Sequence, residues 1–215
     1  MSSLIFWTDP EQALVVTDTL AVTEAGTPLT FCSKAIYLPH IYTIISGTGI
    51  GMFSGDWAMA VNNRMVVKGI QNLDYHTPNA LRELWLRYAT EQSVPENRIT
   101  TVYHFGFAED DGSIHSYAYR STNNFSSERL SYGIGVKPHC TVPKPERLVE
   151  SLFSMMKEQR ELQLARPHGD RVNIGGQGIV MHLTRSGCNT YSAFQFGDYE
   201  AQWDEMMHHY STGPD

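Results

Sequence analysis

Apolar residues fall in short runs at the start of this chain and in helical stripes later. Leu4 to Trp7 is a short apolar run, and Ala13 to Thr17 is a second one rich in β-branched residues. Both predict buried strands. Thr8-Asp9-Pro10-Glu11 between them predicts a turn, because proline presets φ and aspartate can cap the bend. Ser2 and Asp18 then sit at opposite ends of a hairpin in sequence and close together in space. Glu24-Ala25-Gly26-Thr27-Pro28 predicts a second turn. Phe31 to Leu38 and Ile41 to Ile45 follow as strands, broken at Pro39-His40. Ser46-Gly47-Thr48-Gly49-Ile50-Gly51 closes this β region and opens a helix from about Met52 to Asn63.

The pattern then changes period. Thr77 predicts an N-cap with Pro78 at the first helical position. Leu81, Leu84, Trp85 and Tyr88 follow at helical spacing, and Pro95-Glu96-Asn97 predicts the closing turn. Ile99 to Phe107 and Ser113 to Arg120 alternate around Asp110-Asp111-Gly112, a hairpin signal, and a third run reaches Ile134. Pro145 predicts the start of a helix with Leu148, Leu152 and Met155 on one stripe. Gly178 to Thr184 and Asn189 to Phe196 predict a hairpin across Ser186-Gly187. A last helix from about Asp198 carries Tyr199, Trp203, Met206, Met207 and Tyr210 on one face. Strands and helices cluster instead of alternating, which argues for an α+β fold and against a doubly wound parallel sheet. No repeat or linker interrupts residues 1–215, so one domain is expected.

Composition narrows the function more than the fold. The chain is 41% hydrophobic and 18% charged, the balance of a soluble globular protein. A net charge of −7, with no run of Lys or Arg, argues against nucleic acid as a partner. No apolar stretch approaches the roughly 20 residues a membrane helix needs, and no signal peptide is visible. Cys32, Cys140 and Cys188 are far apart and odd in number, so free thiols and a reducing cytoplasm are expected. The closest histidine clusters, His208-His209 and His139-Cys140, lack a third ligand at helical spacing, so no metal or cofactor is expected. Gly47, Gly49 and Gly51 complete neither a dinucleotide fingerprint nor a P-loop.

Ser2, Asp18 and Lys34 stand at equal intervals of 16 residues. Removal of Met1 would expose Ser2 as a new N-terminus, with an α-amine and a hydroxyl on one residue. The amine's unperturbed pKa of about 8 suits it to take the hydroxyl proton. A lysine ammonium nearby would favour the developing alkoxide, and a carboxylate would hold that lysine.

The segment Ala13-Leu-Val-Val-Thr-Asp18-Thr-Leu-Ala-Val-Thr-Glu-Ala-Gly26 resembles the second strand and following turn of proteasome β-type subunits. In that family an N-terminal Thr, for which this chain has Ser2, is followed by an Asp and, after a Gly-containing turn, a Lys. Ser2, Asp18 and Lys34 match these in order and spacing. Ser46-Gly-Thr-Gly49 resembles the turn that supplies the oxyanion hole, with Gly47 at the matching place. Arg171-Val-Asn-Ile-Gly-Gly176 resembles a later Asp-x-x-Ser-Gly-Gly segment, and Gly133-Ile134-Gly135 resembles a Gly-Ser-Gly turn. The resemblance implies an N-terminal-nucleophile (Ntn) hydrolase with a four-layer αββα sandwich. It implies Ser2, Asp18, Lys34 and Gly47 as the catalytic set, a peptide or other amide substrate, and a homo-oligomer, with a ring as one form. Ile134, Ile174 and Arg171 depart from it, standing where the family has two serines and an Asp. Those departures support an alternative: a catalytically silent scaffold or binding protein of the same fold that retains Met1.

Overall fold

The computed structural model describes residues 2–91 and 98–212. The expected Pro95-Glu96-Asn97 turn lies outside the described residues. In chain order the first six strands are β1 (Leu4–Thr8), β2 (Ala13–Asp18), β3 (Leu20–Val22), β4 (Pro28–Phe31), β5 (Ala35–Leu38) and β6 (Thr43–Thr48). Helices α1 (Phe53–Arg64) and α2 (Ile70–Glu91) follow. Then come β7 (Thr101–Phe107), β8 (Ile114–Arg120), β9 (Ser127–Arg129), β10 (Gly133–Lys137), α3 (Leu148–Leu164), β11 (Gln177–Thr184), β12 (Gly187–Gln195) and α4 (Tyr199–Thr212).

Two five-stranded antiparallel sheets carry the fold. One runs in the order β10-β1-β2-β11-β12, the other β5-β6-β7-β8-β9, and β3 pairs with β4 separately. The third apolar run of the sequence is thus divided: β9 edges one sheet and β10 edges the other. The Asp9 carboxylate shapes the first hairpin, accepting the Glu11 and Gln12 N–H groups at 2.7 and 2.9 Å.

Residue alternation builds the layers. Strand β2 is buried along its whole length, so it reads as a continuous apolar run. Its Ala13 and Val15 face the other sheet, meeting Ile44 of β6 and Phe105 of β7. Its Leu14 and Val16 face outward, onto Leu152, Met155 and Met156 of α3. The second sheet does the same in mirror order. Ile44 points inward, while Ile45 packs with Phe53 and Trp57 of α1 and with Leu81 of α2. The result is helix, sheet, sheet, helix: the expected four-layer αββα sandwich. Each fully buried Val, Ile or Phe contributes roughly 1.5–3 kcal/mol, so three such interfaces give the sheets a fixed stacking on both faces.

Two local expectations change. Thr77 does not cap a helix; it lies inside α2, with Pro78 after it, and its hydroxyl donates to Leu73 O at 2.7 Å. The apolar stripe extends upstream of the proline through Ile70, Leu73 and Thr77, which makes the earlier turn worth forming. A distant residue then supplies the missing cap: the Glu109 carboxylate accepts the Gln71 and Asn72 N–H groups at 2.8 and 2.9 Å. In α4, the expected apolar face is only partly covered. Tyr199 and Trp203 stack on Phe31 and Met206 is buried, but Met207 and Tyr210 are exposed. No helix among the described residues is long and apolar enough to cross a membrane.

Candidate functional site

The site begins at the open end of the β1–β2 hairpin. Leu4 pairs with Thr17, so Ser3 comes opposite Asp18 and its N–H donates to Asp18 Oδ1 at 2.9 Å. Asp18 is fully buried. Its other oxygen accepts the Lys34 ammonium at 2.9 Å and the Gly175 N–H at 3.2 Å. The ammonium also donates to Leu20 O at 2.6 Å. Lys34 follows the β3–β4 hairpin, which folds the chain back so that the 16-residue step becomes a direct contact. A buried carboxylate is costly unless paired, and here one ammonium and two backbone donors surround it.

Ser2 precedes β1 and lines a cavity of about 610 Å³ together with Thr48, Gly49, Lys137, Pro138 and Gln163. Among the described residues, no hydrogen bond joins the Ser2 hydroxyl to Lys34. Lys34 has two of its three N–H bonds in use.

Gly47 takes a different place from the one its motif suggests. Strand β6 continues to Thr48, so Gly47 lies inside it, opposite Val102. A Cβ at Gly47 would come 2.5 Å from Ser54 Cβ and 3.1 Å from Thr101 O, so this glycine admits the close approach of α1. It is not among the cavity-lining residues; Thr48 and Gly49 are. Gly49 has φ +110 and is packed on the Thr100 backbone.

The surrounding residues also regroup. Strand β10 runs antiparallel to β1, pairing Gly133 with Thr8 and Lys137 with Leu4. Ile134 therefore sits opposite Trp7, away from Ser2, and packs toward α3. Ile174 is buried in the same core, while its neighbour Gly175 reaches Asp18 and accepts the Thr19 and Leu20 N–H groups through its carbonyl. Asp170 lines the cavity and Arg171 does not. In place of the two serines, Gln159 of α3 bridges the site. It accepts the Ser3 hydroxyl through Oε1 and donates to Pro138 O through Nε2. Gln163, one turn on, accepts the Val172 N–H at 3.0 Å. Sequence reasoning missed Gln159, Gln163 and Lys137. The signal for the glutamines was present: both are buried and continue the α3 apolar stripe of Leu148, Leu152 and Met155.

The three cysteines are free. The Cys140 thiol is pushed up to about 11, by burial first and by Glu158 second, so it is protonated and not a nucleophile at neutral pH. Burial, then Arg120, lowers the Lys137 ammonium below the usual lysine range. One group of three possible metal ligands occurs among the described residues: Asp110, Asp111 and His115, with ligand atoms within 4.8 Å of one another. It belongs to the β7–β8 hairpin, and none of its members lines the Ser2 cavity.

Two five-stranded sheets face to face between helical layers, with the hairpin end of one sheet opening on a cavity, define the proteasome-like fold. Among solved structures, the chain is similar to Anbu (ancestral beta-subunit) from Yersinia bercovieri, with a TM-score of 0.59 over 96% of this chain and 92% of that one. Sequence identity is 9%, so the likeness is one of fold. No protein-family model matches the chain. No curated protein matches it either.

Proposed function

We propose that this protein is an Ntn-type amide hydrolase whose nucleophile is Ser2, exposed by removal of Met1. The observation that carries the reading is the Asp18–Lys34 pair, buried one residue from Ser2 and aligned by Ser3 and Gly175. Ser2 Oγ would attack the carbonyl carbon of a peptide or other amide. Its proton would pass to the Ser2 α-amine, directly or through a water, and then to the leaving amine. Water would hydrolyse the resulting acyl-serine ester by the reverse path. Lys34 would hold positive charge beside the developing alkoxide, with Asp18 fixing its position. Backbone N–H groups of the 47–49 segment would receive the oxyanion. Thr48 and Gly49 are the members of that segment that reach the cavity. The working form would be a homo-oligomer, in keeping with the proteasome-like fold, and the free thiols of Cys32, Cys140 and Cys188 suit a reducing cytoplasm.

Intact mass of the purified protein tests the first step. Loss of one methionine, about 131 Da, is expected if Ser2 acts through its own amine. Ser2→Ala should then abolish both turnover of a peptide-amide panel and covalent labelling by a serine-directed electrophile. Complete retention of Met1, or unchanged turnover in Ser2→Ala, overturns the reading and leaves a silent scaffold of the same fold.

A further inference from the structure

The Ser2 cavity carries a charge pattern opposite to that of the chain. Acidic residues outnumber basic ones 23 to 16 over the whole protein. Around this cavity the ratio reverses: Arg98, Lys137 and Arg166 line it against a single carboxylate, Asp170. Neither Arg98 nor Arg166 has a carboxylate within ion-pair distance among the described residues. Arg120 and Arg160, elsewhere, each have one. Among the described residues, the Lys137 ammonium has only a neutral partner, Thr101 Oγ1 at 2.9 Å. Gln163 spends its carbonyl oxygen on the Val172 N–H, so its amide presents N–H donors to any ligand.

Cations gathered around one concavity repel each other, and the folded chain gains nothing from that unless an anion enters. A volume of about 610 Å³ suits a small ligand or a short peptide segment. Guanidinium groups match a carboxylate by paired, parallel hydrogen bonds.

We propose that the cavity selects a carboxylate-bearing substrate: an amide or peptide with an acidic group beside the bond presented to Ser2. This rests on the hydrolase reading above. Arg98 and Arg166 act as specificity residues, and Lys137 adds positive charge to the wall nearest β1. The carboxylate can belong to an acidic side chain or to a free peptide C-terminus, and the two sources are separable.

The test uses the full chain and three matched sets of short peptide amides. One set carries Glu, Gln or Lys on the acyl side of the scissile amide. The second carries the same three on the amine side. The third compares free and amidated C-termini. Binding is read by calorimetry on the Ser2→Ala protein, and kcat/KM on the unaltered protein. In at least one set the carboxylate form should bind at least about tenfold more tightly than its neutral isostere, the range of a charge-assisted hydrogen bond. The double variant Arg98→Gln/Arg166→Gln should erase that preference, and higher salt should weaken it. Both side chains are exposed, so the variant should keep its melting temperature. Equal binding of acidic, neutral and basic members in all three sets overturns the proposal, as does a preference that survives the double variant. The two readings fail separately. Hydrolysis without charge preference removes the selectivity and leaves Ser2 in place. Carboxylate-selective binding that depends on Arg98 and Arg166, without hydrolysis, keeps the cavity's preference and removes the nucleophile.

Discussion

Lys34 Nζ lies 2.9 Å from Asp18 Oδ2, and the pair is almost sealed from water, with side-chain exposures of 9% and 0%. The contact ties the segment after β4 to the end of β2. Two strands' termini and the Gly175 turn therefore meet at one carboxylate. The pair would matter to the fold even if it did no chemistry.

Removing either partner should be costly for that reason. Lys34→Met keeps the stem but leaves a buried carboxylate facing only two backbone donors. A loss of about 3 kcal/mol is expected, within the range for breaking a buried pair. Asp18→Asn should lose a similar amount, and the double variant should lose less than the sum. Urea unfolding of the four proteins checks this. Under the hydrolase reading, each single variant also loses turnover. A pair that proves purely additive would mean that the two residues do not depend on each other.

Gly47→Ala separates a packing role from a catalytic one. The added methyl meets Ser54 Cβ at 2.5 Å and the Thr101 carbonyl at 3.1 Å. Strand and helix must part to admit it, which should cost roughly 1–3 kcal/mol. The melting temperature should fall whether or not the protein hydrolyses anything. A variant as stable as the parent would show that α1 is less closely seated on β6 than the geometry implies.

His104 makes stability depend on pH. It is fully buried, accepts the Trp57 indole N–H at 2.8 Å through Nε2, and is held down to about 3 by burial. The unfolded chain titrates near the ordinary histidine value, about 6.5. Between those values the unfolded state binds the extra proton, so the stability is fully present above pH 6.5 and lost as pH falls toward 3. Below about pH 6 the slope should approach roughly 1.4 kcal/mol per pH unit. His104→Gln keeps an acceptor for Trp57 and should flatten that slope between pH 5 and 6.5, where carboxylates contribute little. Denaturant unfolding at several pH values measures it. An unchanged slope would place the acid sensitivity elsewhere.

The hydrophobic pattern alone determined much of this molecule. The β1–β2 hairpin, the buried run of β2, the β7–β8 hairpin at Asp110-Asp111-Gly112 and the α3 stripe all follow from periodicity and turn residues. Those are local properties, set by backbone preference and by which side chains avoid water. The 16-residue spacing brought Asp18 and Lys34 together on paper, and hairpin geometry is local enough for that inference to be sound. Register and layer were not legible. Ile134 looked like part of the Ser2 surroundings until the pairing of β10 with β1 put it opposite Trp7. Thr77 looked like a cap until Glu109, far along the chain, capped α2 several residues earlier. Gly47 looked like a turn residue, but β6 continues through it, and Thr48 and Gly49 are the members of that segment that line the cavity. The same holds for Gln159 and for Arg98, Lys137 and Arg166, which come from separate elements. Sequence fixes what a segment prefers. Only tertiary packing decides which segments share a wall, because long-range pairing depends on the summed fit of whole faces and not on any one residue's preference.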